Sequence, residues 1–116
     1  MINILEKINN KESFLLANDG QYLGKLSLNQ FDAESIFNQF GIYGSQFSAT
    51  SIFNQFGIYG SQFSSLSPNN QFTSTPPKIY FRGSEYCFLT KNRFIGMNNI
   101  EPDQLIEWLK FNNLYY

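Results

Sequence analysis

The sequence predicts a mainly β fold: a small fourfold repeat of short strands and turns, about 16 residues per unit, with flanking β-hairpins and a C-terminal helix. Three observations predict it. The block SIFNQFGIYGSQFS at 35–48 returns unchanged at 51–64. Apolar runs that meet Asn/Asp/Gly turns bracket this stretch on both sides. An amphipathic segment follows at 102–111. At 116 residues the chain is read as one domain, 1–116.

The first hairpin is expected over 14–28, where FLLANDGQYL carries the turn at Gly20. The repeats occupy 29–77, and 35–77 holds no charged residue. Their register extends beyond the identical blocks. NQFDAESI at 29–36 aligns with SQFSATSI at 45–52 and SQFSSLSP at 61–68, and NQF recurs at 38–40, 54–56 and 70–72. A fourth trace pairs KLSLNQF at 25–31 with FLTKNRF at 88–94, and Ile36 with Ile100, four units on. First and last units are therefore expected to complete a ring or stack of four. The second hairpin, or last unit, is expected over 79–95, turning at Gly83. The helix at 102–111 has Pro102 at its first position, acids in its first turn and Lys110 in its last. Leu105 and Leu109 share one face, with Ile106 and Trp108 at its edges, so it is expected to cover the end of the repeats.

Sixteen extended residues would span roughly 50 Å, so each unit must fold back on itself. Gly41, Gly44, Gly57 and Gly60 are expected to supply positive φ values for tight turns. Ser35 and Ser51, each followed by a closing glycine, fit a single short helical turn, and irregular β structure fits the same letters. Each unit carries four aromatics (Phe37, Phe40, Tyr43, Phe47 and the copies Phe53, Phe56, Tyr59, Phe63), which are expected to be buried between stacked units. Asn, Gln and Ser can satisfy irregular backbone through local side-chain bonds. The same composition also fits an aggregation-prone, prion-like segment; ordered packing is the reading taken.

At these residues the chain resembles a family of bacterial proteins of unknown function built from SIxNxYGxYGSxYS units, the fourfold β-flower family. The likeness spans roughly residues 19–95. It implies a fourfold fold and no known activity. The family's Asn-Pro-Tyr and Ser-Pro-Tyr triplets are Asn-Gln-Phe and Ser-Gln-Phe here, and Ile42 and Ile58 replace a basic residue. The loss of hydroxyls at Phe40, Phe47, Phe56 and Phe63 is read as packing outweighing hydrogen bonding there.

Chemistry has little to work with. The chain has no His and one cysteine, Cys87, so no Ser-His or Cys-His pair, usual zinc site or disulfide framework is expected. Cys87 is read as a small apolar residue. No phosphate-cradling motif occurs, and the Asp32/Glu34 pair is read as a solvated loop. No cofactor, no metal and no enzymatic activity are expected. The net charge of −1 shows no basic patch, so neither nucleic acid nor a membrane is an expected partner. The N-terminal segment lacks a signal-peptide pattern and a cytoplasmic location is expected. The expected function is a protein-interaction or structural module, self-associating through aromatic faces. The alternative is a small-ligand (sugar or apolar group) site at Tyr43, Ser45, Tyr59 and Ser61.

Overall fold

A computed structural model describes residues 2–96 and 98–116. Helix α1 (Ile4–Asn9) starts where the Asn3 side chain accepts the Glu6 N–H. Four strands follow: β1 (Phe14–Leu16), β2 (Tyr22–Lys25), β3 (Lys78–Phe81) and β4 (Ser84–Phe88). They form one antiparallel sheet in the order β2-β1-β3-β4. Both expected hairpins are present, and the Phe14–Tyr80 pairing of β1 with β3 joins them across the whole repeat stretch. Arg82 (φ 51°) and Gly83 (φ 86°) make the two-residue turn that the right-handed twist of a hairpin favours. A 3₁₀ turn (Pro102–Gln104) leads into helix α2 (Leu105–Phe111), whose Leu105 and Leu109 are buried as the spacing predicts.

The sheet separates two apolar groups because neighbouring residues on a strand face opposite ways. Leu15, Leu23 and Ile79 join Ile36, Ile52, Tyr59, Leu105 and Leu109 in one. Phe14, Tyr22 and Tyr43 pack with Ile4 and Ile8 of α1 in the other. Gly24 lies where the repeats meet β2. Its φ is +120°, and a Cβ would stand 2.6 Å from Ile36 Cγ2 and 2.8 Å from Tyr43 Cβ.

Between the hairpins the chain forms neither strand nor helix but a train of β-turns. Within each block, N–H groups three residues apart donate to the preceding turn's carbonyl, as at Ser48→Ser45, Ser51→Ser48, Asn54→Ser51, Gly57→Asn54 and Gly60→Gly57. Ser61 then bonds to Gly57 and restarts the count one residue after Gly60. Five steps of three and one step of one span Ser45 to Ser61, which is why the unit is sixteen residues long. The short helical turn expected after Ser35 and Ser51 is replaced by this train, in which the first and third N–H groups of a step bond to the carbonyl or side chain that opens the preceding or same turn.

The glycines of the repeat also act otherwise than expected. Among the described residues, positive-φ glycines are Gly20, Gly24, Gly83 and Gly96, none of them in the repeat blocks. Gly44 and Gly60 are needed for close approach instead, since a Cβ there would overlap the Asn38 or Asn54 carbonyl. Gly57 has more room, its nearest neighbour being Asn54 Nδ2 at 3.2 Å from the same position. Gly60→Ala is therefore expected to cost about 2 kcal/mol or more in urea unfolding, by overpacking against backbone. Gly57→Ala, whose Cβ would meet no backbone and stand 3.2 Å from the Asn54 amide, should cost clearly less; equal losses would refute the steric account.

Candidate functional site

The turns are locked by their first residues. The side-chain oxygen of residue i accepts the N–H of residue i+2 at Asn29, Asp32, Ser35, Asn38, Ser45, Ser48, Ser51, Asn54, Ser61, Ser64, Ser67, Asn70 and Thr73. Asn38, Asn54 and Asn70 also donate their amides to the carbonyl six residues back, at 3.0–3.2 Å. Local side-chain bonds thus replace a strand ladder, as the uncharged polar composition suggests.

In the Asn-Gln-Phe and Ser-Gln-Phe turns the third residue faces solvent. Phe31, Phe40, Phe47, Phe56, Phe63, Phe72 and, in Asn-Arg-Phe, Phe94 are 83–97 % exposed. The expectation that Phe40, Phe47, Phe56 and Phe63 pack between units is therefore corrected. The same lock at Ser35 and Ser64 leaves Phe37 and Leu66 half-buried against the core, so the direction each turn faces, and not the lock itself, sets the exposure. Ile42 and Ile58 are exposed beside them. Phe40 and Phe47 flank an open cleft of about 580 Å³, together with Gln39, Gly44, Ser45 and Gln46. The copies Phe56 and Phe63 carry the same neighbours in sequence and the same turn bonds. Phe37 and Phe53, with ring centroids 6.4 Å apart, set the two blocks side by side.

The sequence-derived ligand residues lie elsewhere. Tyr43 and Tyr59 are buried. Tyr43 packs edge-on against Tyr22 (5.1 Å, 86°), and the Tyr59 hydroxyl donates to Asp19 at 2.7 Å. Neither ring is open as a stacking platform. Ser45 and Ser61 spend their hydroxyl oxygens on the N–H groups of Phe47 and Phe63, though Ser45 still lines the cleft. Sequence reasoning missed the cleft because it expected its phenylalanines inside. The three-residue spacing of Asn and Ser was the signal available.

The titratable groups serve structure. Lys7 of α1 is buried with its ammonium 2.8 Å from Glu34, 3.2 Å from Glu12 and 4.9 Å from the Tyr22 ring centroid. The Tyr22 hydroxyl donates to Glu34 at 3.0 Å, and burial with the Glu34 charge holds it protonated. Burial works against the Lys7 charge, but its bonds to Glu34 and Glu12 outweigh this and raise its pKa. Burial likewise opposes Glu34 ionisation, and the bonds from Lys7 and Tyr22 prevail, holding its carboxyl below the usual range. Asp32 is lowered by the Glu34 N–H and by Lys25, 3.1 Å away. The pair read as a solvated loop is thus half-buried and ion-paired. Cys87 is half-buried beside β3, and burial pushes its thiol up to about 11.

Comparison with protein-family models, with curated proteins and with solved structures finds no match.

Two measurements check the electrostatics. A carboxyl with a lowered folded pKa adds stability above its unfolded value, and that stability is lost as pH falls. Acid titration should therefore destabilise the protein below the ordinary glutamate value of 4.5, and Glu34→Gln should flatten that slope. An unchanged slope would remove the Lys7–Glu34 pair from the account. The raised Cys87 thiol should react with a disulfide reagent at neutral pH on the order of 100-fold more slowly than in denaturant. Equal rates would contradict its burial.

Proposed function

We propose that this chain is a non-catalytic interaction module whose binding surface is the rim of outward phenylalanines. The observation that carries the reading is their exposure on turns locked by hydrogen bonds, which leaves apolar rings without a role in the core. A non-catalytic role is supported by a thiol held protonated at neutral pH and by carboxylates engaged in ion pairs. We also propose a body of four pseudo-equivalent units, kin to the fourfold β-flower proteins. Supporting it, Ile36, Ile52, Pro68 and Ile100 are all buried at multiples of sixteen. The parallel bridges Lys25–Ser35 and Leu89–Ile100 stand about four units apart. Ser27, Asn29 and Phe31 share their bonding pattern with Thr90, Asn92 and Phe94.

No helix among the described residues is long and apolar enough to cross a membrane. The cytoplasm is the proposed location and a protein the proposed partner. A second reading, a neutral small ligand such as a sugar, is favoured by the Phe40/Phe47 cleft, where Gln39 and Gln46 offer amides beside two rings. Affinity capture from the native host distinguishes the outcomes. Wild-type protein should retain a partner that Phe40→Ser/Phe47→Ser/Phe56→Ser/Phe63→Ser protein loses, with circular dichroism unchanged. Identical capture by both would refute the rim as the binding surface.

A further inference from the structure

We propose that the cleft between the α1–β1 loop and the β3–β4 turn binds a small phosphate monoester, its phosphate held by Lys11 and Arg82 and its organic group by Leu114 and Tyr116. The cleft encloses about 260 Å³ and shares no residue with the phenylalanine rim. Backbone contacts fix its walls. The Gly83 N–H donates to the Glu12 carbonyl at 2.9 Å, and the Arg82 N–H donates to the Ser13 hydroxyl at 3.0 Å. A Cβ on Gly83 would stand 3.0 Å from Lys11 Cα, so loop and turn touch, and Lys11 and Arg82 are neighbours across the join. The chain after α2 closes the third side, tied down where the Leu28 N–H donates to the Leu114 carbonyl at 2.8 Å.

Charge selects an anion. Of the charged groups in the lining, Lys25 is paired with Asp32 and Glu12 with Lys7, which Glu34 shares from outside the cleft. Lys11 and Arg82 have no carboxylate in salt-bridge range, a state that Lys91 alone shares among the described residues. Two of three unpaired cations thus line one cavity in a chain whose net charge is −1. The Arg82 guanidinium lies over the Phe81 ring, 4.8 Å from its centroid, and spends one donor on the Asn112 carbonyl at 3.4 Å. That leaves the rest of its five N–H groups for a forked bond to an oxyanion. The Ser13 hydroxyl can turn its own O–H to the same anion. A phosphate monoester carries close to two negative charges at neutral pH, which matches two cations; a carboxylate balances one and a neutral ligand none. The volume lies below that of pockets for drug-sized ligands, so the organic group is small.

The backbone supports the same assignment. Lys11 has φ 56° and Arg82 φ 51°. The residue that closes a helix and the first residue of a two-residue hairpin turn are usually Gly or Asn, because other side chains are strained there. Folding alone would favour Asn or Gly at both positions. Two long cations hold them instead, and strain of this kind collects at ligand sites.

Titration with phenyl phosphate, inorganic phosphate and benzoate, followed by amide NMR shifts, tests this. Phenyl phosphate, added to about 5 mM, is expected to move the Lys11, Ser13, Arg82 and Gly83 signals saturably. It should bind at least tenfold more tightly than benzoate, and more tightly than inorganic phosphate. Lys11→Asn/Arg82→Asn protein should bind it on the order of tenfold or more weakly, with a urea midpoint no lower than wild type, since asparagine suits the left-handed backbone. If that protein is destabilised, Lys11→Gln/Arg82→Gln protein, which keeps much of both stems, decides by the same titration. Benzoate binding as tightly as phenyl phosphate would overturn the phosphate, and inorganic phosphate doing so would overturn the ester. No saturable shift, or equal binding by the variants, would overturn the site.

Discussion

The bond from a turn's first side chain to the N–H two residues on is the constraint on which this molecule depends. A chain that reverses direction every third residue cannot build a strand ladder or a helix, so its amides need partners from nearby. Serine, threonine, asparagine and aspartate are the residues whose short side chains reach that amide. The body between β2 and β3 therefore has one of them at nearly every third position, and its composition follows from backbone accounting. Glycine takes over at residues 41 and 44, and again at 57 and 60; at 44 and 60 the Asn38 or Asn54 carbonyl lies too close for a Cβ.

Such a body has little interior of its own, and the sheet supplies one. By pairing β1 with β3, the fold ties segments more than sixty residues apart and lays Leu15, Leu23 and Ile79 against Ile36 and Ile52. Lys7 adds a polar tie from α1 to Glu34 at the entrance of the train. The blocks are identical in sequence, but the sheet is not symmetric about them. Tyr43 therefore packs on Tyr22 beside α1, while Tyr59 reaches Asp19 in the β1–β2 turn. Sequence identity preserved the turns, which are local, and not the contacts, which are not.

That division also explains what the letters disclosed. Both hairpins and the 102–111 helix were legible because turn residues and apolar spacing specify them locally. Helix α1 went unread although Asn3 and the Ile4/Ile8 pair announce it; its short length gives the 3.6-residue period little room. The repeat was legible in period and misread in content. A count of sixteen drew attention to like residues stacking, whereas the physical unit is three residues, with the serines and asparagines as its first members. Reading phenylalanine as core follows the usual rule for large apolar side chains. It fails here because the third residues of the Asn-Gln-Phe and Ser-Gln-Phe turns face solvent, whereas Phe37 and Leu66, third in turns locked the same way, pack against the core. The pairing of β1 with β3, and the placement of Tyr43 and Tyr59 on different sides, depend on long-range packing that no short pattern encodes.

A turn locked through its first side chain and its third N–H makes no demand on the third side chain. Any L-residue with an N–H, which excludes only proline, would satisfy the backbone at Phe40, Phe47, Phe56 or Phe63. Exposed apolar rings weaken solubility and add no core, so folding alone does not account for phenylalanine at those positions. On the proposed reading of the rim as a binding surface, what these rings meet outside the fold accounts for their identity. The glutamines beside them extend the same logic, being polar enough to keep the isolated chain in water and neutral enough to be covered. A scaffold that fixes its backbone with short polar side chains thus leaves these phenylalanines outside the core, an inversion of the usual division between core and surface.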